Sequence, residues 1–276
     1  MFQVYYSEAM LAPEQAISPS AHKPRHVVAS WLALQPSLQI LAPSPVTRIE
    51  IERAHSRAFV SGVMSGDIAN GFGNFDPAVA ESLPFTSGAM LGAARAAIAN
   101  GRVAIAPCSG FHHAKYDRGG GFCTFNGLMI AALALLAEGA GRIGILDADM
   151  HYGDGTDDIL AELGEMRIEH VTLGADFRRP KHAPAFFAAL PRIMQRFAGC
   201  DVLLYQAGAD PHIDDPLGGW LTTDELFRRD LEVFTACREM QLPVAWNLAG
   251  GYQSPLRKVL DIHDNTLRAT ERAFAV

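Results

Sequence analysis

Residues 143–155 read I-G-I-L-D-A-D-M-H-Y-G-D-G. Ile143, Gly144, Ile145 and Leu146 make a short apolar run, as expected of a strand buried on both faces of a parallel sheet. Asp147, Asp149 and His151 follow at a spacing of two. Alternate residues of an extended chain point the same way, so these three side chains share one side near the C-terminal end of the strand. In open α/β sheets that edge is where ligands bind. Carboxylates crowded together repel and are costly to bury unless a cation compensates. Asp149 and His151 offer one hard oxygen and one imidazole nitrogen, both suited to a metal ion. For D-x-H taken alone, a helix-capping Asp and a satisfied core His is the commoner account, so the remainder of the chain has to decide.

Working outward, the 276 residues are 49% hydrophobic and 19% charged, with a formal net charge of −7. This fits one large α/β domain or two modest ones, with enough length for a sizeable core; no linker or internal repeat stands out, so one domain spanning 1–276 is expected. With no long basic run, electrostatic capture of nucleic acid or an anionic membrane is not expected. The N-terminus lacks a charged segment followed by an apolar one, so no signal peptide is visible. The richest apolar segment, 127–137, falls short of the ~18 residues that mark a bilayer span. Cys108, Cys123, Cys200 and Cys237 are widely spaced without a C-x-x-C. That argues against a thiolate zinc site or a disulfide framework and makes a reducing cytoplasm the expected setting.

Strands are expected at 2–6, 103–106, 143–149, 168–173, 201–206 and 243–248, and residues 47–52 read as a strand or an extended connection. Helices are expected at 26–34, 86–100, 126–138, 183–198, 223–240 and 254–273. Residues 18–25 and the glycine-rich stretch 69–77 read as loops, the latter either a surface excursion or a rim near a site. Strand and helix alternate, which argues for a parallel sheet with helices on both faces, a three-layer α/β/α domain. Polar residues gather just past the strand ends: His112 and His113, then His151 and Asp154, then Asp210, Asp214 and Asp215, then Gly250, Gly251 and Tyr252. In a parallel sheet those ends share one edge, so the groups can converge.

Five blocks carry a resemblance. G-F-H-H-A (110–114), G-G-G-F-C-T-F-N (119–126), L-D-A-D-M-H-Y-G-D-G (146–155), G-A-D with D-P-L-G (208–218) and A-G-G-Y (249–252) stand in an order that resembles the histone deacetylase superfamily, on the arginase/deacetylase fold. The resemblance implies a mostly parallel, about eight-stranded sheet between helix layers and a zinc-dependent deacetylase or related amidohydrolase. Asp149, His151 and Asp215 match the family's zinc ligands. Three protein ligands leave a fourth position open, as catalytic zinc requires. His112 and His113 match its tandem histidines, with Asp147 behind the first and Asp154 behind the second. Tyr252 matches the hydroxyl donor to the substrate oxygen. Gly121 and Phe122 match the channel wall, and Gly250 and Gly251 the turn that places the tyrosine. A structural potassium ion is implied at Asp147, Asp149, His151, Thr172 and Leu173. Arg25 resembles a buried arginine near the pocket floor. The implied substrate is an N-acylated amine, either acetyl-lysine or a small molecule.

The chain also departs from the pattern. Tyr152 stands where many members carry a second histidine, and Phe111 precedes the tandem pair where bulkier aromatics or glycine are common. The loop after Leu173 is short, with Phe177 its one candidate for a second aromatic wall. Leu221 aligns near a position where polyamine deacetylases carry a gatekeeping acid, which argues mildly against a polyamine. The alternatives are an arginase-like ureohydrolase with two manganese ions and a non-catalytic module that senses an acylated ligand. The first leaves the tandem histidines without a use, and the second leaves the acid/base set unexplained.

Overall fold

The computed structural model describes residues 2–13 and 18–275. Among these, one parallel sheet holds seven strands: β1 (Gln3–Tyr5), β2 (Gln39–Leu41), β3 (Val103–Ser109), β4 (Ile143–Asp147), β5 (Ile168–Thr172), β6 (Val202–Gln206) and β7 (Val244–Ala249). Their order is β2-β1-β3-β7-β6-β4-β5. Every neighbouring pair is parallel. Helices α1 (Lys23–Leu34), α7 (Ala183–Gln195), α8 (Thr223–Glu239) and α9 (Arg257–Phe274) cover one face. Helices α2 (Arg48–Ala54), α3 (Arg57–Ser65), α4 (Pro77–Asn100), α5 (Gly127–Ala137) and α6 (Asp154–Leu163) cover the other. No helix among the described residues is long and apolar enough to cross a membrane.

Both faces of the sheet are buried, and the strands read as unbroken apolar runs for that reason. Along β7, Val244, Trp246 and Leu248 enter the α1/α9 core while Ala245 enters the α4/α5 core. Along β4, Leu146 takes the first side and Ile143 and Ile145 the second. Trp31 of α1 packs edge-on against Trp246, with ring centroids 5.3 Å apart.

The structure differs from the sequence reading in several places, each with a local cause. Residues 47–52 are not a strand: Thr47 caps α2, accepting from Glu50 N–H at 3.2 Å while Glu50 Oε2 takes Thr47 N–H at 2.6 Å. T-R-I-E is a capping box, and here it outweighs the β-branched content. The helix expected from Thr86 begins at Pro77, capped by Asp76. Pro84 lies inside it although proline removes an intrahelical bond. Helix α1 starts at Lys23 with Pro24 in its first turn, where proline is well tolerated, so residues 23–25 are not loop. The elements α3, α6 and β2 were not anticipated. The seven strands among the described residues agree with the expectation of about eight.

Strand β4 ends at Asp147, four residues before His151. After the bond from Ala148 N–H to the Gln206 carbonyl (3.0 Å), the alternation is kept by side chains. Asp147 Oδ1 accepts from Asp149 N–H at 3.2 Å, and Asp149 Oδ1 from His151 N–H at 2.9 Å. Each carboxylate captures the amide two residues on, the turn-forming habit of aspartate.

His55, at the end of α2, is buried and clamps the loop that carries the tandem histidines. Its Nδ1 donates to the Lys115 carbonyl at 2.8 Å, and its Nε2 accepts from Asn126 N–H at 2.8 Å. That pattern requires a neutral ring. Burial accordingly pushes its pKa down to about 4, against a smaller upward pull from the Lys115 and Tyr116 backbone. The folded pKa lies below the unfolded value, so the unfolded chain binds more protons between about pH 6.5 and 4. Stability is then complete above the unfolded pKa and is lost as pH falls through that window. His55→Gln keeps a donor and an acceptor without titrating. The loss of unfolding free energy between pH 6.5 and 5, measured in urea, should shrink by about 2 kcal/mol in this variant. An unchanged loss would remove His55 from the account.

Candidate active site

Strands β3, β7, β6 and β4 are consecutive neighbours in the middle of the sheet. Their C-terminal ends therefore lie side by side, and the loops after them deliver the polar residues to one place. Past β3, the His112 and His113 rings lie 4.1 Å apart, centroid to centroid, tilted by 53° to one another. His112 Nδ1 meets Asp147 Oδ2 at 2.6 Å, and His113 Nδ1 meets Asp154 Oδ1 at 2.7 Å. Asp147 is fully buried at the end of β4, its other oxygen taking Gln206 Nε2 at 2.8 Å. Asp154 opens α6 and stays one-third exposed.

Past β4, Asp149 and His151 come together with a residue to which the sequence reading gave no ligand role. His151 Nδ1 lies 3.0 Å from Asp149 Oδ1 and 3.1 Å from Asp210 Oδ2. One donor atom from each of these three residues lies within 4.8 Å of the other two. Asp215 is not part of this group. It is buried beside it, with Oδ2 accepting Tyr252 N–H at 2.8 Å and Oδ1 accepting Leu217 N–H at 3.0 Å. Asp210 also holds Met150 N–H, and Asp149 Oδ2 holds Gly250 N–H at 2.9 Å. Two buried carboxylates and one imidazole, with the Asp215 carboxylate buried close by, form a donor set that fits a divalent cation.

The electrostatics bear this out. Burial and the neighbouring Asp149 push the Asp210 carboxyl up to about 7. Burial would raise Asp149 as well, but His112 and His151 hold it well below the usual carboxylate range. Hydrogen bonds to Asp149 and Asp210 lift His151 to about 10. The tandem histidines diverge. Burial alone would lower His112, yet Asp147 and Asp149 outweigh it and raise the ring to about 9. Burial and the adjacent His112 lower His113, and Asp154 offsets this only in part. Burial, with Asp210 and Asp149 nearby, pushes the Tyr252 phenol up, so it keeps its proton as a donor.

Phe122 lies 5.8 Å from the Tyr252 ring and 5.8 Å from Phe72, centroid to centroid. Phe72 comes from the glycine-rich 69–77 stretch and was not singled out from the sequence. Phe122 sits at φ 65°, a strained conformation for a bulky residue, with its N–H on the Gly71 carbonyl at 3.0 Å. Gly121, at φ 53°, passes so close to His113 that a Cβ there would lie 2.5 Å from its ring. Phe177, the candidate second wall, instead stacks on Trp220 at 5.7 Å and packs against Phe186.

Comparison with known proteins bears directly on this geometry. A sequence model of the histone deacetylase domain matches residues 20–166. The chain belongs to this family. An uncharacterised protein of Picosynechococcus is 28% identical over 265 residues, 87% of each chain. Acetylpolyamine amidohydrolase 2 of Pseudomonas aeruginosa is 32% identical over 174 residues, 51% of this chain and 48% of that one. The match thus covers about half the length of that enzyme. Among solved structures, the HDA15 HD domain superposes with a TM-score of 0.78 at 21% identity, covering 97% of this chain and 90% of that one. An acetylpolyamine aminohydrolase from Burkholderia pseudomallei gives 0.77 at 18%, covering 99% of both. At these identities the two structures show the fold.

Within the family frame, two residues fall elsewhere than the resemblance placed them. Arg25 is exposed and paired with Glu8, so it is not a pocket-floor residue. Lys23, two residues earlier, is buried in its stead, its Nζ donating to the Ala249 carbonyl at 2.7 Å. Burial pulls it down to about 8 against the upward pull of Asp210, Asp149 and Asp215. Its signal in the sequence was only a lysine before a helix-starting proline. Leu221 is a core residue, its N–H on the Pro211 carbonyl, so it says nothing about a gatekeeping acid. The positions named for potassium do lie together. Asp147 pairs in register with Thr172, which accepts Gly153 N–H at 3.0 Å. The His151 carbonyl packs on Gly174, next to Leu173. Tyr152 is partly exposed, its hydroxyl on Asp157 at 2.5 Å.

Gly250 tests the cluster. A Cβ there would lie 2.3 Å from Asp210 Oδ2 and 2.7 Å from Asp149 Oδ2, so an alanine must push both carboxylates apart. Gly250→Ala is expected to weaken divalent-ion affinity by at least about 10-fold, read by competition with a chromophoric chelator. Unaltered affinity would place the ion away from these residues.

Proposed function

We propose that this chain is a zinc-dependent amidohydrolase that removes an acetyl or other acyl group from an N-acylated amine. One observation carries the reading. Two adjacent imidazoles, each backed by its own carboxylate, face a group of buried carboxylates and an imidazole, with the Tyr252 phenol close by. By the resemblance, Asp149, His151 and Asp215 would hold the ion, although the donor atoms that lie together are those of Asp149, His151 and Asp210. Asp210, whose two oxygens engage His151 and Met150 N–H, acts as the brace of that loop. Bound zinc would supply Lewis acidity, lowering the pKa of a water towards ~7 and polarising the acyl carbonyl.

The protein's own groups then divide the work. His113, held neutral, can take the proton of the attacking water and return it to the leaving amine. His112, more basic and tied to Asp147, presents a hydrogen-bond donor towards the same place. Tyr252 donates to the substrate oxygen as negative charge grows on it. Phe122 and Phe72 supply an apolar wall for the acylated chain. Relatives named acetylpolyamine amidohydrolase and histone deacetylase support either a small acylated amine or acetyl-lysine as substrate.

A panel of fluorogenic acetyl-lysine peptides and acetylated small amines, with and without chelator, tests this reading. Turnover should vanish on chelation and return with zinc. Tyr252→Phe should lower kcat by about 10²–10³-fold, as for loss of an oxyanion donor. Full activity in that variant would discard the role, and two manganese ions per chain would favour a ureohydrolase. Elemental analysis should find the ion lost in Asp215→Asn and kept in Asp210→Asn. The reverse result would make Asp210 the third ligand.

A further inference from the structure

We propose that Lys115 is a positioning residue for His113, locking the Asp154 carboxylate in the orientation that fixes the ring. This rests on the reading of His113 as the group that accepts the proton of the attacking water. Lys115 Nζ lies 3.0 Å from Asp154 Oδ2, while Oδ1 of the same carboxylate lies 2.7 Å from His113 Nδ1. The lysine follows His113 by two residues, so both ends of the carboxylate are gripped by one short stretch of loop.

The two histidines need different supports because their carboxylates sit in different surroundings. Asp147 is fully buried, and the amides of Gln206 and Asp149 hold its second oxygen. It has no water to turn towards. Asp154 is one-third exposed in the first turn of α6. A carboxylate there can rotate into solvent and release the ring, since hydration competes with a single hydrogen bond. A charge-assisted bond to an ammonium resists that rotation more strongly than a neutral donor.

The backbone of Lys115 is itself fixed. Its N–H donates to the Arg118 carbonyl at 2.9 Å, and its carbonyl accepts from His55 Nδ1 at 2.8 Å. The side chain therefore reaches Asp154 from an anchored base. Arg118, the other cation on this rim, is occupied by Asp117 at 2.8 Å.

Held this way, Asp154 keeps the His113 proton on Nδ1 and leaves Nε2 free to accept. Lys115→Met and Lys115→Gln should lower kcat by about 10-fold, the lower end for loss of a group supporting a histidine, and change KM less than about twofold. Lys115→Arg should restore most of the rate. A second readout does not depend on turnover. Nuclear magnetic resonance of isotope-labelled histidine, on metal-loaded protein without substrate, should show His113 wholly as the Nδ1–H tautomer in the wild type. In the Met and Gln variants it should show a mixture. Unchanged tautomer and unchanged kcat in both variants would overturn the proposal. If the wild type turns over no acylated amine, the functional reading fails while the tautomer result still decides the role of Lys115.

Discussion

Four carboxylates buried at one edge of a sheet set the terms for the rest of this molecule. Asp147, Asp149, Asp210 and Asp215 are each at most 5% exposed. Ionised oxygens taken out of water must be given donors or cations, or they take up protons. The chain answers with backbone amides at Gly250, Tyr252, Met150, His151 and Leu217, with the Gln206 amide, and with His112, His151 and the deep ammonium of Lys23. Four adjacent parallel strands ending together bring these donors to one spot. The architecture and the chemistry are in that sense a single arrangement.

The donors come from different loops, and this ties the parts together. Asp149 holds the amide of Gly250 and Asp215 that of Tyr252. The turn after β7 is thereby bound to the carboxylates at one end and, through the Ala249 carbonyl, to Lys23 at the other. The backbone that carries the phenol is fixed by the same groups that would receive a cation.

Much of this was legible in the sequence, because the strongest signals are local. The apolar runs of β3, β4, β6 and β7 gave the central strands to within three residues at either end, and the polar residues past their ends pointed to one edge. The pairings His112–Asp147 and His113–Asp154 stand where the resemblance placed them. What stayed hidden depends on contacts distant in sequence. Asp210 was one of three carboxylates past β6, of which the resemblance favoured Asp215, until folding put it against His151. Lys23 was passed over for Arg25 because a helix start one turn earlier reverses which of them faces inward. Phe72 and His55 lie far upstream of the loop they touch. The strand expected at 47–52 failed for another reason: a capping box of T-R-I-E competed with β-branched content and won.

The aromatic wall has two owners. Phe122 belongs to the rigid segment that also carries the tandem histidines, and its backbone is strained to hold it there. Phe72 arrives on the excursion between α3 and α4, joined to that segment mainly through Gly71, which touches the Phe122 amide and the Thr124 hydroxyl. Substituting Phe72 while keeping Gly71 would reshape the apolar wall and leave the ionisable groups of the site in place. Selection could therefore retune which molecules are admitted without renegotiating how they are cleaved.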